Sequence, residues 1–290
     1  MLERKSLKEL NLLDRFLFDE AMADPQTMRD VLEIILGKEI VLKHLPQAEK
    51  EERTSPIYRG IRLDVWSMDE EDTIYDVEAQ LKNTHNLAKR SRYYQSVIDS
   101  RLFETGVVNF NELNDVYIIL IAPFDLFGEK RYLYTFDMSC RENREITLDD
   151  GAVRVFLNTH GKNDGEVNPE LVELLHYMEN TTFQIAQKCT SDRIHRMHRR
   201  IEMIRKNEEV SVRYMQAWEE KVMEREEGRE EGRKEGLEKG RREGEQEGRS
   251  KVNNLIKYLI DSDRADEVKR VVTDPEYQDQ LLKEYESLLS

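Results

Sequence analysis

Cysteine is nearly absent from this 290-residue chain, which holds only Cys140 and Cys189. Neither has a neighbour at a redox or metal-ligand spacing, so a disulfide scaffold is excluded and a reducing compartment is expected. No window approaches the roughly 18 consecutive apolar residues of a membrane span. The opening Met1-Leu2-Glu3-Arg4-Lys5 leads into mixed charge with no signal-peptide core. The expected location is therefore cytoplasmic, with no membrane partner. Positive charge is also in deficit: 45 Lys and Arg stand against 60 Asp and Glu, for a net charge of −15. That counts against a bulk electrostatic grip on nucleic acid. The deficit is spread, with −9 over residues 1–200, −3 over 201–250 and −3 over 251–290. Two short stretches run the other way. Residues 82–101 carry Lys82, Lys89, Arg90, Arg92 and Arg101 against Asp99 alone, and residues 188–200 carry Lys188, Arg193, Arg196, Arg199 and Arg200 against Asp192 alone. Both are places for phosphates if DNA is a partner, or else solvated helix faces.

What is present is 38% apolar residue content, enough for one large domain and something smaller. Residues 6–23 read as a helix. Asp24-Pro25 caps a second one, whose stripe is Met28, Val31, Leu32 and Ile35, and Gly37 ends it. Alternation predicts a strand over 59–67, with Ile61, Leu63 and Val65 opposite Arg62, Asp64 and Trp66. A turn at Asp69-Glu70-Glu71-Asp72 follows, then a strand over 73–81. A helix is expected over 86–104 and a fully buried strand over 115–122, whose VYIILIA run suits a strand covered on both faces. Strands over 131–138 and 153–158 and helix over 168–222 complete the outline. A hairpin, a helix and then a central buried strand imply an α/β fold with a mixed sheet and flanking helices.

The second strand carries the chemistry. Asp76, Glu78 and Gln80 alternate with Tyr75, Val77, Ala79 and Leu81, so they share one face. Asp64 lies fourteen positions before Glu78, where a tight hairpin brings the two side by side. Packed carboxylates repel unless a proton or a cation relieves them, and a hard divalent ion held by oxygen does so. The other reading of the same pattern is a half-exposed hairpin with a solvated acidic face.

The frame Asp64 … Glu78-Ala79-Gln80 is similar to the D…E-x-K signature of PD-(D/E)XK nucleases, with Gln80 at the lysine position. More closely, the chain resembles the Rpn family of recombination-promoting nucleases and transposases. The stretches that carry the resemblance are GIRLDVWSMDEEDTIYDVEAQ (60–80), LAKRSRYYQSVID (87–99), DVYIILIAPFDLFGEKRYLYTF (115–136), VRVFLNTHG (153–161) and VRYMQAWEE (212–220), with the repeated EGR-type tail. The resemblance implies a restriction-endonuclease-like fold. It also implies a DNA endonuclease that needs a divalent ion (Mg²⁺, or Mn²⁺ or Ca²⁺) and links to recombination, mobile DNA or phage defence. Asp64 and Glu78 would hold the metal, and Gln80 would orient a water or phosphate oxygen without adding charge. A first-helix carboxylate, Asp14, Asp19 or Glu20, would join them, with Glu20 the first choice. Lys82, Lys89, Arg90 and Arg92 would meet DNA. Arg90 interrupts the apolar stripe between Leu87 and Tyr94, so it either points to the site or lays its stem over apolar surface. His195 and His198 are three apart on a helix but have no completing ligand nearby. No nucleotide-binding turn is found, so no nucleotide cofactor is expected.

The tail is periodic: Gly228, Gly232, Gly236, Gly240, Gly244 and Gly248 recur every four residues among charged ones. Each glycine costs a helix about 1 kcal/mol relative to Ala, more than exposed Glu–Lys or Glu–Arg pairs at about 0.2–0.5 kcal/mol recover. The stretch is either a bare groove for a close-packed partner helix or a flexible linker. After it, a stripe of Val252, Leu255, Ile256, Leu259 and Ile260, and a helix opened by Asp274-Pro275, make a small helical module. The expected organisation is a nuclease-like domain over 1–200, a helical extension over 201–250 and a C-terminal module over 251–290, with self-association through the C-terminal region. Two functions fit: a metal-dependent DNA endonuclease, or a self-assembling regulatory protein on a nuclease fold whose catalysis is weak or lost.

Overall fold

A computed structural model describes residues 5–52, 61–102 and 109–289, without the side chains of 48–52, 61–63, 101–102 and 289. The expected alternation of Ile61, Arg62 and Leu63 and the position of Arg101 lie outside the described side chains. The chain divides into two compact units, Met1–Met215 and Gln216–Ser290.

The first unit is built on a six-stranded mixed sheet in the order β1-β2-β3-β4-β6-β5. Strands β1 (Gln47–Glu52), β2 (Ile61–Met68) and β3 (Ile74–Ala79) run antiparallel. Strands β4 (Val116–Ala122) and β6 (Ala152–Asn158) continue parallel to β3, and β5 (Leu133–Phe136) closes the edge antiparallel to β6. Asp69 fixes the β2–β3 hairpin: its carboxylate accepts from the backbone N–H of Glu71 and Thr73, and Tyr75 Oη donates to it at 2.7 Å. That turn sets the register Val65↔Val77 and Trp66↔Asp76, which decides what meets on each face.

Both faces are covered. Helices α1 (Arg15–Met22), α2 (Pro25–Leu36), α4 (Pro169–Glu179), α5 (Phe183–Lys188) and α6 (Asp192–Lys206) form one apolar core with Val65, Tyr75, Val77, Ile119 and Ile121. On the other face, α3 (Leu87–Leu102) packs Leu87, Val97 and Ile98 against Trp66, Ile74, Ile118 and Leu120. The acidic face of β3 therefore lies under α3. It is not the solvated face that the alternation alone allows.

Two helices are shorter than their apolar periodicity. Residues 6–23 split into a single 3-10 turn, Leu7–Glu9, and α1, because Ser6 and Glu9 close a capping box on that turn. The intervening segment is held by long-range bonds instead: Leu12 N–H donates to Thr181 Oγ1 at 2.8 Å, and Leu13 N–H to the Met178 carbonyl at 3.3 Å. The long helix expected over 168–222 is broken before Thr182, Ser191 and Asn207. Each of these side chains accepts from a backbone N–H of the helix that follows it.

Helix α7 (Glu208–Asp261) passes from the first unit into the second. In the second unit it carries all six periodic glycines, where an added Cβ would meet no atom within 4 Å. The ion pairs Lys234–Glu230, Lys239–Glu243 and Arg241–Glu245 lie one turn apart along it. Helices α8 (Val268–Thr273) and α9 (Pro275–Leu289) enclose a small core of Leu255, Leu259, Val271 and Leu281. By propensity the glycine segment needs outside support as a helix, and a second copy of the same helix would supply it. On that reading the protein is a dimer or larger by light scattering, and replacing Gly232, Gly236 and Gly240 together with Leu shifts it toward monomer. The same change gains roughly 0.8 kcal/mol of helix propensity per site, so the mass falls while helicity holds. A monomeric wild type, or an unchanged mass, discards close packing through the glycines.

Candidate active site

The site begins with the hairpin register. Asp64 and Glu78 each stand one step from the Val65↔Val77 pair, and the Asp64 N–H donates to Glu78 Oε1 at 3.3 Å. Asp76, two residues before Glu78, points to the same face. All three are buried, Asp76 fully, Glu78 at 3% and Asp64 at 6% exposure. Both Asp76 carboxylate oxygens lack a hydrogen-bond partner among the described residues. A buried carboxylate in that state carries the full desolvation cost unless it holds a proton or meets a cation.

Two arginines reach in from opposite sides. Arg15, at the start of α1, places Nη2 2.8 Å from Asp64 Oδ1 and Nε 3.6 Å from Asp19 Oδ2. Arg90, one turn into α3, places Nη2 2.8 Å from Glu78 Oε2, and its guanidinium lies 5.4 Å from the centre of the Tyr94 ring. Arg90 thus points to the carboxylates. Its stem does not lie idle over apolar surface.

The electrostatics follow from burial. Glu78 is pushed up to about 8, first by burial and then by the charge of Asp64, with Arg90 opposing. Burial, with Glu78 and Asp64 beside it, pushes Asp76 well above the usual carboxylate range. Burial also raises the Tyr94 phenol, with the charge on Glu78 adding to it. Three acids facing two guanidinium groups form a site in which burial and mutual repulsion favour a retained proton.

Other expected residues fall elsewhere. Gln80 lies just past the end of β3, half-buried; its side-chain amide donates to the Lys82 carbonyl at 2.7 Å. Lys82, Lys89 and Arg92 are exposed. Glu20 is gripped by a two-pronged contact from Arg213, at 2.7 and 2.8 Å, while Asp14 caps the turn before α1 by accepting from Asn11 N–H. Of the first-helix acids, Asp19 is the one tied to Asp64, through Arg15. In the second basic stretch, Arg193 meets Glu33 and Glu170 at 3.0 Å and Arg196 meets Asp30 at 2.9 Å, while Lys188 and Arg199 are exposed. His198 is also accounted for, its Nδ1 lying 2.9 Å from Tyr177 Oη. Arg15 was not foreseen, because nothing in its local pattern marks it; only the packing of α1 onto β2 brings it to Asp64.

Among the described residues, no three His, Cys, Asp or Glu side chains stand as a ready-made metal cage. The donors nonetheless fit a hard divalent ion. They are all oxygens, they repel one another, and two at Asp76 are unspent. Mg²⁺ needs only one or two carboxylates, taking its other ligands from water and phosphate. Among the described residues, no helix is long and apolar enough to cross a membrane.

No curated protein and no solved structure matches the chain. The model of one family does match, that of the PD-(D/E)XK nuclease family transposases, and it spans residues 15–229, from the arginine that holds Asp64 into the glycine repeat. The matched span takes in the buried acidic hairpin under α3, and the chain belongs to the PD-(D/E)XK nuclease family transposases.

Proposed function

We propose that the chain is a divalent-metal-dependent DNA endonuclease that hydrolyses phosphodiester bonds in recombination, mobile DNA or phage defence. The observation that carries this reading is the buried Asp64–Asp76–Glu78 cluster, whose charge only a proton or a cation relieves. Asp64 and Glu78 would hold the ion, with Asp76 beneath them and Asp19 positioned behind through Arg15. When bound, Mg²⁺, Mn²⁺ or Ca²⁺ supplies Lewis acidity toward the scissile phosphate and lowers the pKa of a water.

The chain's own groups do the rest. Arg90 brings a permanent positive charge within 2.8 Å of Glu78, the charge that Gln80 does not supply. The Gln80 side-chain oxygen can accept from a water while its amide is held by Lys82. Lys82, Lys89 and Arg92 offer exposed cations for flanking phosphates. Helix α3 excludes bulk water from the carboxylates, which strengthens every charge inside. The test is incubation of supercoiled plasmid with each of the three ions, beside an Asp64→Ala control; no nicking in any ion by the wild type would discard the endonuclease.

Gln80→Lys adds a cation just past the end of the strand that bears Glu78. Plasmid cleavage is expected to be retained or to rise by up to about tenfold, the scale of one modest electrostatic contact in a transition state. Loss of cleavage in a folded Gln80→Lys protein would give Gln80 a specific hydrogen-bonding role instead. The second reading, a self-assembling regulator with little catalysis, is favoured by the exposed glycine face of α7. It predicts assembly without cleavage in the same plasmid assay.

A further inference from the structure

The carboxylates end a row that crosses the sheet. On the α3 face, Glu78 is paired with Leu120, Leu120 with Phe156, and Phe156 with Tyr134 on the edge strand. At the far end of this row stands an aromatic cluster. Phe127 lies 4.7 Å from Tyr134, 4.8 Å from Phe136 and 5.3 Å from Phe156, centre to centre. The middle of the row is sealed, with Leu120 and Phe156 buried, but Phe127 is 36% and Phe136 40% exposed. The next row inward runs Asp76, Ile118, Arg154, Phe136. Arg154 is half-buried beside these rings, and its Nε has no hydrogen-bond partner among the described residues.

Partly exposed aromatic rings beside a half-buried guanidinium, whose charge also acts on Asp99, suit one ligand chemistry above others, a flat base carrying a phosphate. Three strand spacings of about 4.8 Å put the shelf roughly 14 Å from Glu78. A stacked strand rising about 3.4 Å per nucleotide covers that in about four steps, and an unstacked one in fewer. Bases inside a duplex have their faces covered by their neighbours, so only an unpaired base can lie on the rings.

We propose that Phe127 and Phe136, with Arg154 beside them, stack an unpaired base of the strand whose phosphodiester lies at Asp64 and Glu78, so that the substrate is DNA with a single-stranded segment. The proposal rests on the endonuclease reading, and its test is made in metal-free buffer so that cleavage does not enter. Fluorescence anisotropy compares a labelled single strand with a blunt duplex of equal length, on wild type and on the Phe127→Leu/Phe136→Leu variant, which keeps the apolar packing and loses the ring faces. The variant should lose about tenfold or more on the single strand and about twofold at most on the duplex. An abasic single strand should bind both proteins alike. Equal loss on both DNAs, no loss on either, or a fall in the variant's mass by light scattering, which would make the shelf a joint between two chains, overturns it. If the double variant fails to fold by circular dichroism, Phe136→Leu alone, at the more exposed ring, is read in the same way. A chain that prefers the single strand through these rings yet never nicks plasmid loses the endonuclease reading and keeps the shelf.

Discussion

On the endonuclease reading, Asp64→Ala and Glu78→Ala are each expected to lower plasmid cleavage in Mg²⁺ by at least about a thousandfold, the rate equivalent of roughly 4 kcal/mol of metal-borne charge stabilisation. Neither abolishes the fold. Asp64 and Glu78 sit on strands whose opposite face packs Val65, Tyr75 and Val77 into the main core, and that packing is untouched. Removing either acid also thins a cluster of like charges. What is lost locally is one ion pair: Asp64→Ala leaves Arg15 about half exposed and still beside Asp19, whereas Glu78→Ala takes the carboxylate from Arg90, which is more enclosed. The Glu78 variant is therefore the less stable of the two, and Glu78→Gln is its control for folding. The measurement is nicking rate together with circular dichroism; cleavage at the wild-type rate by a folded Asp64→Ala/Glu78→Ala double variant would place the chemistry elsewhere.

Without metal, the protein is expected to lose stability as pH rises from about 5 to 8. Glu78 titrates near its ordinary 4.5 in the unfolded chain and at about 8 in the fold. Between those values the folded state holds a proton that the unfolded state has released. The group's stabilising contribution is whole below the lower value and is lost as pH climbs through the upper one. The size is on the order of 3–5 kcal/mol for a shift of this extent, or roughly 10 °C in melting temperature for a domain of about 200 residues. Asp76 has the same sign and shares the same proton pool. On the endonuclease reading a divalent ion would bind the ionised form and displace the proton, so its affinity should rise with pH and saturating Ca²⁺ should flatten or reverse the slope. Melting curves from pH 5 to 8.5, in chelator and in Ca²⁺, measure both. The difference between wild type and Glu78→Gln isolates this site from every other titrating group. Parallel pH profiles for the two metal-free proteins would mean that Glu78 does not hold the proton.

Much of the scaffold is legible in the sequence, because its signals are strong and local. The run from Val116 to Ala122 can only be a strand covered on both faces, and it is the centre of the sheet. The hairpin of β2 and β3 follows from alternation and an acidic turn. Its shared face brings Asp64, Asp76 and Glu78 together, and Arg90 falls beside them from the one break in the stripe of α3. What is not legible depends on partners far away in sequence. Arg15 reads as an ordinary first-turn arginine. Arg193 and Arg196 read as a phosphate-binding stripe until Asp30 and Glu33, more than 150 residues earlier, turn out to face them. Glu20 reads as a site carboxylate until Arg213 closes on it. The sign of a charge is written in the sequence, but its counter-charge is set by packing. Gln80 is a different case, since a strand that ends at Ala79 no longer obliges the next side chain to keep the alternating face.

The bonds that hold Leu10–Leu13 have a consequence for how the protein is made. Arg205 donates to the carbonyls of Leu10, at 2.7 Å, and Thr181, at 2.9 Å, and Thr181 in turn accepts from Leu12 N–H. The segment that leads into α1 is therefore anchored by residues synthesised nearly two hundred positions later. At 5–20 residues per second, a ribosome takes roughly 10–40 s to deliver Arg205 after Leu10. For much of that interval the residues of the hairpin bearing Asp64 and Glu78 have been made, while the entry to the helix bearing Arg15 lacks its Arg205 anchor. A nascent chain stalled before α6 thus carries Arg15 on a helix whose leading segment still lacks its Arg205 clamp.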